Sequence, residues 1–278
     1  MDTTTIATWL ADATARLTGV GVATARLDCL VLLEDVTGKE RSWLLAHPED
    51  ELESYQIKEL KSMLRRRVAH EPLAYIRGKS EFYGREFAVS AHTLEPRPET
   101  ETMIELLLNL VESRKLKVES LVDVGTGSGC IAITTALELP GTKVYATDID
   151  EKCLKTARQN AQNLGADVTL LQGNLLRPIP TSFFQRPSSI LANLPYVPET
   201  HQINQAALHE PHQAIFGGKD GLDYYRMLFV QIDEVSNKPV VILAESLPSQ
   251  HATLTEIATR HGYKLTESRD FIQCFEKS

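Results

Sequence analysis

The sequence has few cysteines, few aromatic residues, no surplus of positive charge and no long apolar run. Its four cysteines, Cys29, Cys130, Cys153 and Cys274, stand far apart with no C-x-x-C pair among the 278 residues. Such spacing argues against a disulfide framework or a zinc site and suits reduced thiols in the cytoplasm. No stretch of about 18 apolar residues is present, so no membrane-spanning helix is expected. Met1-Asp2-Thr3-Thr4 places an acid where a secretory signal carries Lys or Arg, and Asp12 interrupts the apolar stretch behind it, so no signal peptide is expected. Lys and Arg total 29 against 37 Asp and Glu, a net charge of −8. A protein that grips a long run of nucleic-acid phosphate normally shows the opposite balance.

What is present describes an ordinary globular chain, 42% hydrophobic and 24% charged, long enough for two domains at roughly 150 residues each. Ile6, Leu10, Ala13 and Leu17 recur at helical spacing, as do Leu27, Leu30, Val31 and Leu33, and residues 49–67 resume the pattern. Residues 1–77 therefore read as a small helical domain. Aromatic and β-branched residues around Gly84, from Phe82 to Val89, predict a short hairpin inside a linker spanning 78–96. Pro96 keeps the chain extended, and Pro98 suits the first turn of a following helix. Residues 97–278 alternate strand and helix. Strands are predicted at 120–124, 143–147, 168–172, 189–192 and 239–244, with helices at 130–139, 151–164 and 221–235. Such alternation implies an α/β domain whose mainly parallel sheet is covered on both faces.

Two motifs carry chemistry. In the first, the apolar strand Leu121–Val124 runs into Gly125-Thr126-Gly127-Ser128-Gly129 and then into a helix. Glycines let the backbone approach a nucleotide-like ligand, and the helix N-terminus offers unpaired N–H groups to an anion. The next strand ends at Asp148, placed to accept hydrogen bonds from ribose hydroxyls. The third glycine comes one position earlier than in the dinucleotide fingerprint, a spacing that resembles S-adenosylmethionine-dependent methyltransferases.

The second motif, Asn193-Leu194-Pro195-Tyr196, follows the apolar strand Ile190–Ala192. It resembles the (N/D)-P-P-Y motif of methyltransferases that act on a planar nitrogen. The lone pair of such a nitrogen is delocalised, so it must be aimed. Asn193 Oδ1 and the Leu194 carbonyl can accept its two N–H groups, Pro195 stiffens the turn and Tyr196 can pack on the planar group. The motif by itself serves glutamine or adenine equally.

Other segments choose between them. Pro72–Gly78, Glu81-Phe82-Tyr83-Gly84, Pro96-Arg97-Pro98-Glu99-Thr100-Glu101, Glu210-Pro211, Ala214–Gly218 and Asp220-Gly221-Leu222 together resemble the peptide chain release factor glutamine methyltransferases, the HemK/PrmC family, over nearly the whole chain. The resemblance implies a Rossmann-like catalytic domain behind an N-terminal helical substrate-binding domain. It implies cytoplasmic methyl transfer from S-adenosylmethionine to the glutamine amide of a release factor's Gly-Gly-Gln loop, with no membrane or direct nucleic-acid requirement. By position, Gly125, Thr126, Gly127, Ser128 and Gly129 would hold the methionine part and Asp148 the ribose, with Asn174 and Leu175 at the adenine. Asn193, Pro195 and Tyr196 would be catalytic, and Leu194, Arg97 and Glu99 would join them at the substrate. Asn193 would also border the cofactor.

The chain departs from the family pattern at Leu194, Asn174, Glu95, Ala244-Glu245-Ser246 and Arg269–Ile272. A neutral Asn174 in place of a charged acceptor implies weaker cofactor binding. Two rival readings are an N6-adenine methyltransferase acting on RNA or DNA, and a cofactor-binding scaffold without activity. His209-Glu210-Pro211-His212 has the residue types of a metal site, but a proline turn scatters its side chains and no third cluster supports it, so no metal is expected. Arg65-Arg66-Arg67 is read as the solvated end of a helix.

Overall fold

The computed structural model describes residues 4–113, 118–203 and 205–278. It forms two compact units. One is the chain up to Gly78 with a short segment ending at His209; the other is Lys79–Ile203 with Glu210–Ser278.

The first unit is helical: α1 (Ile6–Gly19), α2 (Ala25–Thr37), α3 (Arg41–Ala46), α4 (Ser54–Val68) and α5 (Leu73–Arg77). Thr5 and Thr8 cap the start of α1 reciprocally, and α2 stops at Gly38, whose φ of 67° is left-handed. Leu17, Leu32, Leu33, Leu44 and Leu60 are completely buried between these helices. The arginine run at the end of α4 differs from expectation. Arg65 is exposed, but Arg67 Nε reaches Asp28 Oδ2 at 2.7 Å, and Asp28 is buried at 4% exposure. Arg66 pairs with Glu71 and donates to the Tyr75 carbonyl at 3.0 Å. Two of the three cations thus fasten α4 to α2 and to the α5 turn. Their acceptors are remote or irregular in sequence, which is why the run looks solvated when read locally.

The second unit opens with the hairpin β1 (Lys79–Phe82) and β2 (Arg85–Ala88). Tyr83 and Gly84 turn it with φ of 52° and 68°, the left-handed pair that matches strand twist. Phe82 and Phe87 are fully buried with Met103 and Leu107 of α6 (Pro98–Ser113), so the hairpin is part of this unit's core.

The sheet strands are β3 (Ser120–Val124), β4 (Lys143–Asp148), β5 (Val168–Gln172), β6 (Ser188–Ala192), β7 (Val241–Glu245), β8 (Tyr263–Arg269) and β9 (Ile272–Lys277). Between them run α7 (Cys130–Glu138), α8 (Glu151–Leu164), α9 (His212–Ile215), α10 (Asp223–Glu234) and α11 (His251–Arg260). The order is β5-β4-β3-β6-β7-β9-β8, parallel through β7, with β9 antiparallel to both neighbours. β3, β6 and β7 are buried along their whole length, as parallel strands covered on both faces must be. The terminal β8–β9 pair has no counterpart in the sequence expectations, because β8 lies at the edge and lacks an apolar alternation. Thr266 is an extra residue in β8, a bulge between the Leu265–Phe275 and Glu267–Cys274 pairs.

The chain order reverses between β3 and β6, so a crevice opens there at the carboxyl ends of the strands. Val124 pairs with both Thr147 and Ala192, and Ala192 with Ala244. Gly125, Asp148, Asn193 and Glu245 therefore leave the sheet at or near the same level. Among the described residues no helix is long and apolar enough to cross a membrane.

Candidate active site

The glycine loop is fastened from behind and open in front. Gly125 N and Thr126 N both donate to the Thr147 carbonyl at 2.9 Å, and Gly127 N donates to Asp148 Oδ2 at 2.9 Å. The other Asp148 oxygen accepts Asp150 N at 2.9 Å, so the carboxylate is fixed in direction, and burial raises its pKa. Asp123, with no exposed surface, accepts from Thr126 Oγ1 at 2.5 Å and from Ala132 N at 3.2 Å. Burial pushes its carboxyl up to about 7.

Asn160 of α8 holds the loop from the other side. Its Nδ2 donates to Ser128 O at 2.8 Å and to Ala88 O at 2.9 Å, and its Oδ1 accepts Ala88 N at 2.8 Å. One amide thereby ties the hairpin to the loop. Gly125 has φ of 77°, and a Cβ there would sit 3.0 Å from Leu194 Cδ2. A side chain at this position would press on the second motif.

In front of the loop lies a cavity of about 220 Å³, bounded by Gly125–Ser128, Asp148, Gly173–Leu175 and Asn193–Pro195. Ile149, 64% exposed beside Asp148, offers an apolar face. Leu175 adopts φ of 52°, a costly conformation for a bulky residue. It is held by packing and by the Leu176 N–H bond to Gln231 Oε1 at 2.9 Å. The N-terminal end of α7, a fixed carboxylate and apolar walls fit a ligand with an amino-acid carboxylate at one end and a nucleoside at the other.

The second motif is braced more heavily than its sequence suggests. Asn193 Nδ2 donates to Thr100 Oγ1 at 3.1 Å, and Thr100 Oγ1 donates to Glu245 Oε2 at 2.7 Å. Tyr196 OH donates to Glu245 Oε1 at 3.1 Å, and Tyr225 OH donates to the Glu245 backbone carbonyl. Glu245 is 1% exposed, and desolvation pushes its carboxyl up to about 7 against the lowering effect of the two hydroxyls. Burial and this neighbouring acid raise the Tyr196 phenol. Gln250 Nε2 caps the Tyr196 carbonyl at 2.7 Å. Gly217 and Gly221 press directly on the same turn: a Cβ on Gly217 would fall inside contact distance of the Pro195 carbonyl, and one on Gly221 inside that of Tyr196. Both positions require the missing side chain.

Gly125, Thr126, Gly127, Ser128, Asp148, Asn174, Leu175, Asn193, Leu194, Pro195 and Arg97 line one cavity. Three expected site residues lie elsewhere. Gly129 caps α7, Glu99 is exposed on the first turn of α6, and the Tyr196 hydroxyl is turned to Glu245. Arg97 also bonds Glu210 at 2.6 and 2.7 Å. Of the remaining turn residues, His209 Nε2 meets the Ala69 carbonyl and the His212 ring packs against Phe216. Thr100, Glu245 and Asn160 join the site only in the structure. Thr100 lies within the conspicuous Arg97–Glu101 block, and Glu245 ends an apolar run, where a buried acid is a usable signal.

Residues 8–78 match the PrmC N-terminal domain, and residues 99–193 match the model for ribosomal protein L11 methyltransferase. A release factor glutamine methyltransferase of Coxiella burnetii is 35% identical over 250 residues, covering 89% of this chain and 88% of the other. The chain belongs to the release factor glutamine methyltransferase family. A second member, from Bacillus cereus, is 36% identical over 77% of each chain. A bifunctional methyltransferase of Rickettsia prowazekii is 32% identical over 92% of this chain but 53% of its own length. The chain thus spans about half of those bifunctional relatives. Among solved structures, the hMettl16 catalytic domain bound to an RNA hairpin aligns over 81% of each chain with a TM-score of 0.56 and 13% identity, a likeness of fold.

Proposed function

We propose that this chain transfers a methyl group from S-adenosylmethionine to the side-chain amide nitrogen of the glutamine in a release factor's Gly-Gly-Gln loop, acting in the cytoplasm on translation termination. The observation that carries the reading is the meeting of the two motifs in one cavity, in a chain related along most of its length to release factor glutamine methyltransferases.

S-adenosylmethionine, when bound, supplies an electrophilic methyl on a sulfonium. The α7 N-terminus and the Gly125–Ser128 backbone suit its carboxylate, Asp148 its ribose hydroxyls, and Ile149 and Leu175 its adenine. Asn193 Oδ1 and the Leu194 carbonyl accept the two N–H groups of the target amide. Holding both protons in one plane directs the nitrogen lone pair along the normal to it, towards the methyl. Acceptors on both protons also stabilise the positive charge that develops on nitrogen, and the N-methylated amide cation is acidic enough to lose its extra proton to water, so no strong base is needed. The helical unit of residues 1–77 engages the release factor, and the hairpin within residues 78–96 opens the catalytic unit, to which residues 97–278 also belong.

Intact-mass analysis of a purified release factor after incubation with the enzyme and S-adenosylmethionine tests the reading. A gain of one methyl, mapped to the Gly-Gly-Gln glutamine, is expected. A release factor of unchanged mass, or methyl found in bulk RNA instead, would overturn it.

A further inference from the structure

Asn193 can serve as an acceptor only if its amide presents oxygen to the substrate. Nothing in the Asn193 side chain itself fixes this, because the two ends of a primary amide have nearly the same shape. The neighbouring strands do fix it. Ala192 and Ala244 are paired on β6 and β7, so Asn193 and Glu245 emerge side by side, with Thr100 from α6 between them. Thr100 is 2% exposed and Glu245 1%, so their bonds are shielded from bulk solvent.

A hydroxyl has one proton. That of Thr100 goes to Glu245 Oε2, and that of Tyr196 goes to Glu245 Oε1. Thr100 Oγ1 then faces Asn193 as an acceptor and can be met only by Nδ2. The reversed amide would set Oδ1 against an oxygen with no proton to give.

We infer that Glu245 and Thr100 are positioning residues for the transfer: the carboxylate orients the Thr100 hydroxyl, and the hydroxyl orients the Asn193 amide so that Oδ1 faces the target nitrogen. This rests on the methyl-transfer reading above. The same carboxylate anchors Tyr196, so one buried acid sets both ends of the motif.

Three variants and two readouts test it. Thr100→Val keeps the shape and removes the hydroxyl. Glu245→Gln has one acceptor oxygen for two hydroxyls, so one of them must reverse. Thr100→Ser restores the relay. With release factor and S-adenosylmethionine in excess, Thr100→Val and Glu245→Gln should lower kcat by about tenfold to a hundredfold, the cost of a misaligned reacting group. Cofactor affinity by calorimetry should stay within about threefold, and Thr100→Ser should recover most of the turnover. The second readout needs no activity: the Asn193 side-chain NH₂ should be protected from solvent exchange in the wild type and Thr100→Ser, and unprotected in Thr100→Val. Turnover of Thr100→Val and Glu245→Gln near wild type would overturn the inference, as would a Thr100→Ser enzyme as slow as Thr100→Val or an unprotected wild-type amide. A wild type that transfers no methyl would instead overturn the functional reading, and amide protection would still decide the relay.

Discussion

Asn160→Asp replaces one atom and should destabilise the catalytic unit severely. The side chain is 1% exposed, and its Nδ2 supplies the donors for Ala88 O and Ser128 O at 2.9 and 2.8 Å. In the variant an oxygen faces both carbonyls. Leaving two buried acceptors without donors costs about 1–3 kcal/mol each, so roughly 4 kcal/mol in all, before any cost of burying a charge. That is a large part of the about 5–15 kcal/mol by which a domain is stable. The new carboxyl escapes part of the penalty by taking a proton, which restores one of the two donors. Its folded-state pKa then lies above the unfolded value, so its contribution is best at low pH and is lost as pH rises through the raised pKa. Urea unfolding followed by circular dichroism, at pH 5 and pH 8 and always against wild type at the same pH, should show the loss smaller at pH 5 by about 1–2 kcal/mol. Because Ser128 belongs to the glycine loop, cofactor affinity should fall too. A loss under about 1 kcal/mol at pH 8, or one identical at both pH values, would refute this account of the Asn160 clamp.

Asn193→Ala should leave cofactor binding by calorimetry nearly intact while turnover collapses by about a hundredfold or more; unchanged turnover would defeat the motif assignment. Turnover should also fall as pH drops through about 7, where Glu245 takes up a proton. The groups facing that carboxyl are Thr100, Tyr196, Tyr225, Cys130, Glu99 and Arg97, and a flat kcat profile between pH 6 and pH 8 would contradict the dependence on its ionised form. Stability moves the other way: Glu245 is protonated more readily folded than unfolded, so its ionisation between pH 4.5 and about 7 lowers the stability of the fold as pH rises. Gly221→Ala, at φ of 82° with the Tyr196 carbonyl in the way, should cost about 2–5 kcal/mol from strain and overpacking in thermal or urea unfolding; a variant as stable as wild type would mean that the turn yields freely.

The sequence reveals what is encoded locally. The strand, glycine loop and helix around residues 121–138 are contiguous, as are Asn193–Tyr196, so both motifs and the parallel sheet could be read directly. The bracing could not, because Thr100 and Glu245 are 145 residues apart and Asn160 lies 72 residues from Ala88. A threonine in a proline-rich block and an asparagine in a polar helix look ordinary until the fold brings their partners to them. Arg67 misled for the same reason, its acid being 39 residues away. β8 is not legible locally because an edge strand with the burial pattern of Tyr263–Arg269 carries little of the apolar alternation that marks a strand.

That edge has a consequence for the molecule among its own copies. An outermost strand shows a row of unpaired backbone groups, an invitation to any other extended chain. Here Lys264 and Arg269 stand exposed along it, and the extra residue at Thr266 breaks the regular spacing a docking strand would need. Deleting Thr266 would leave the pairs on either side in register and let the ladder run along the edge without a break. A self-limiting border would then become a template, and the first symptom would be insoluble protein during synthesis rather than slow catalysis.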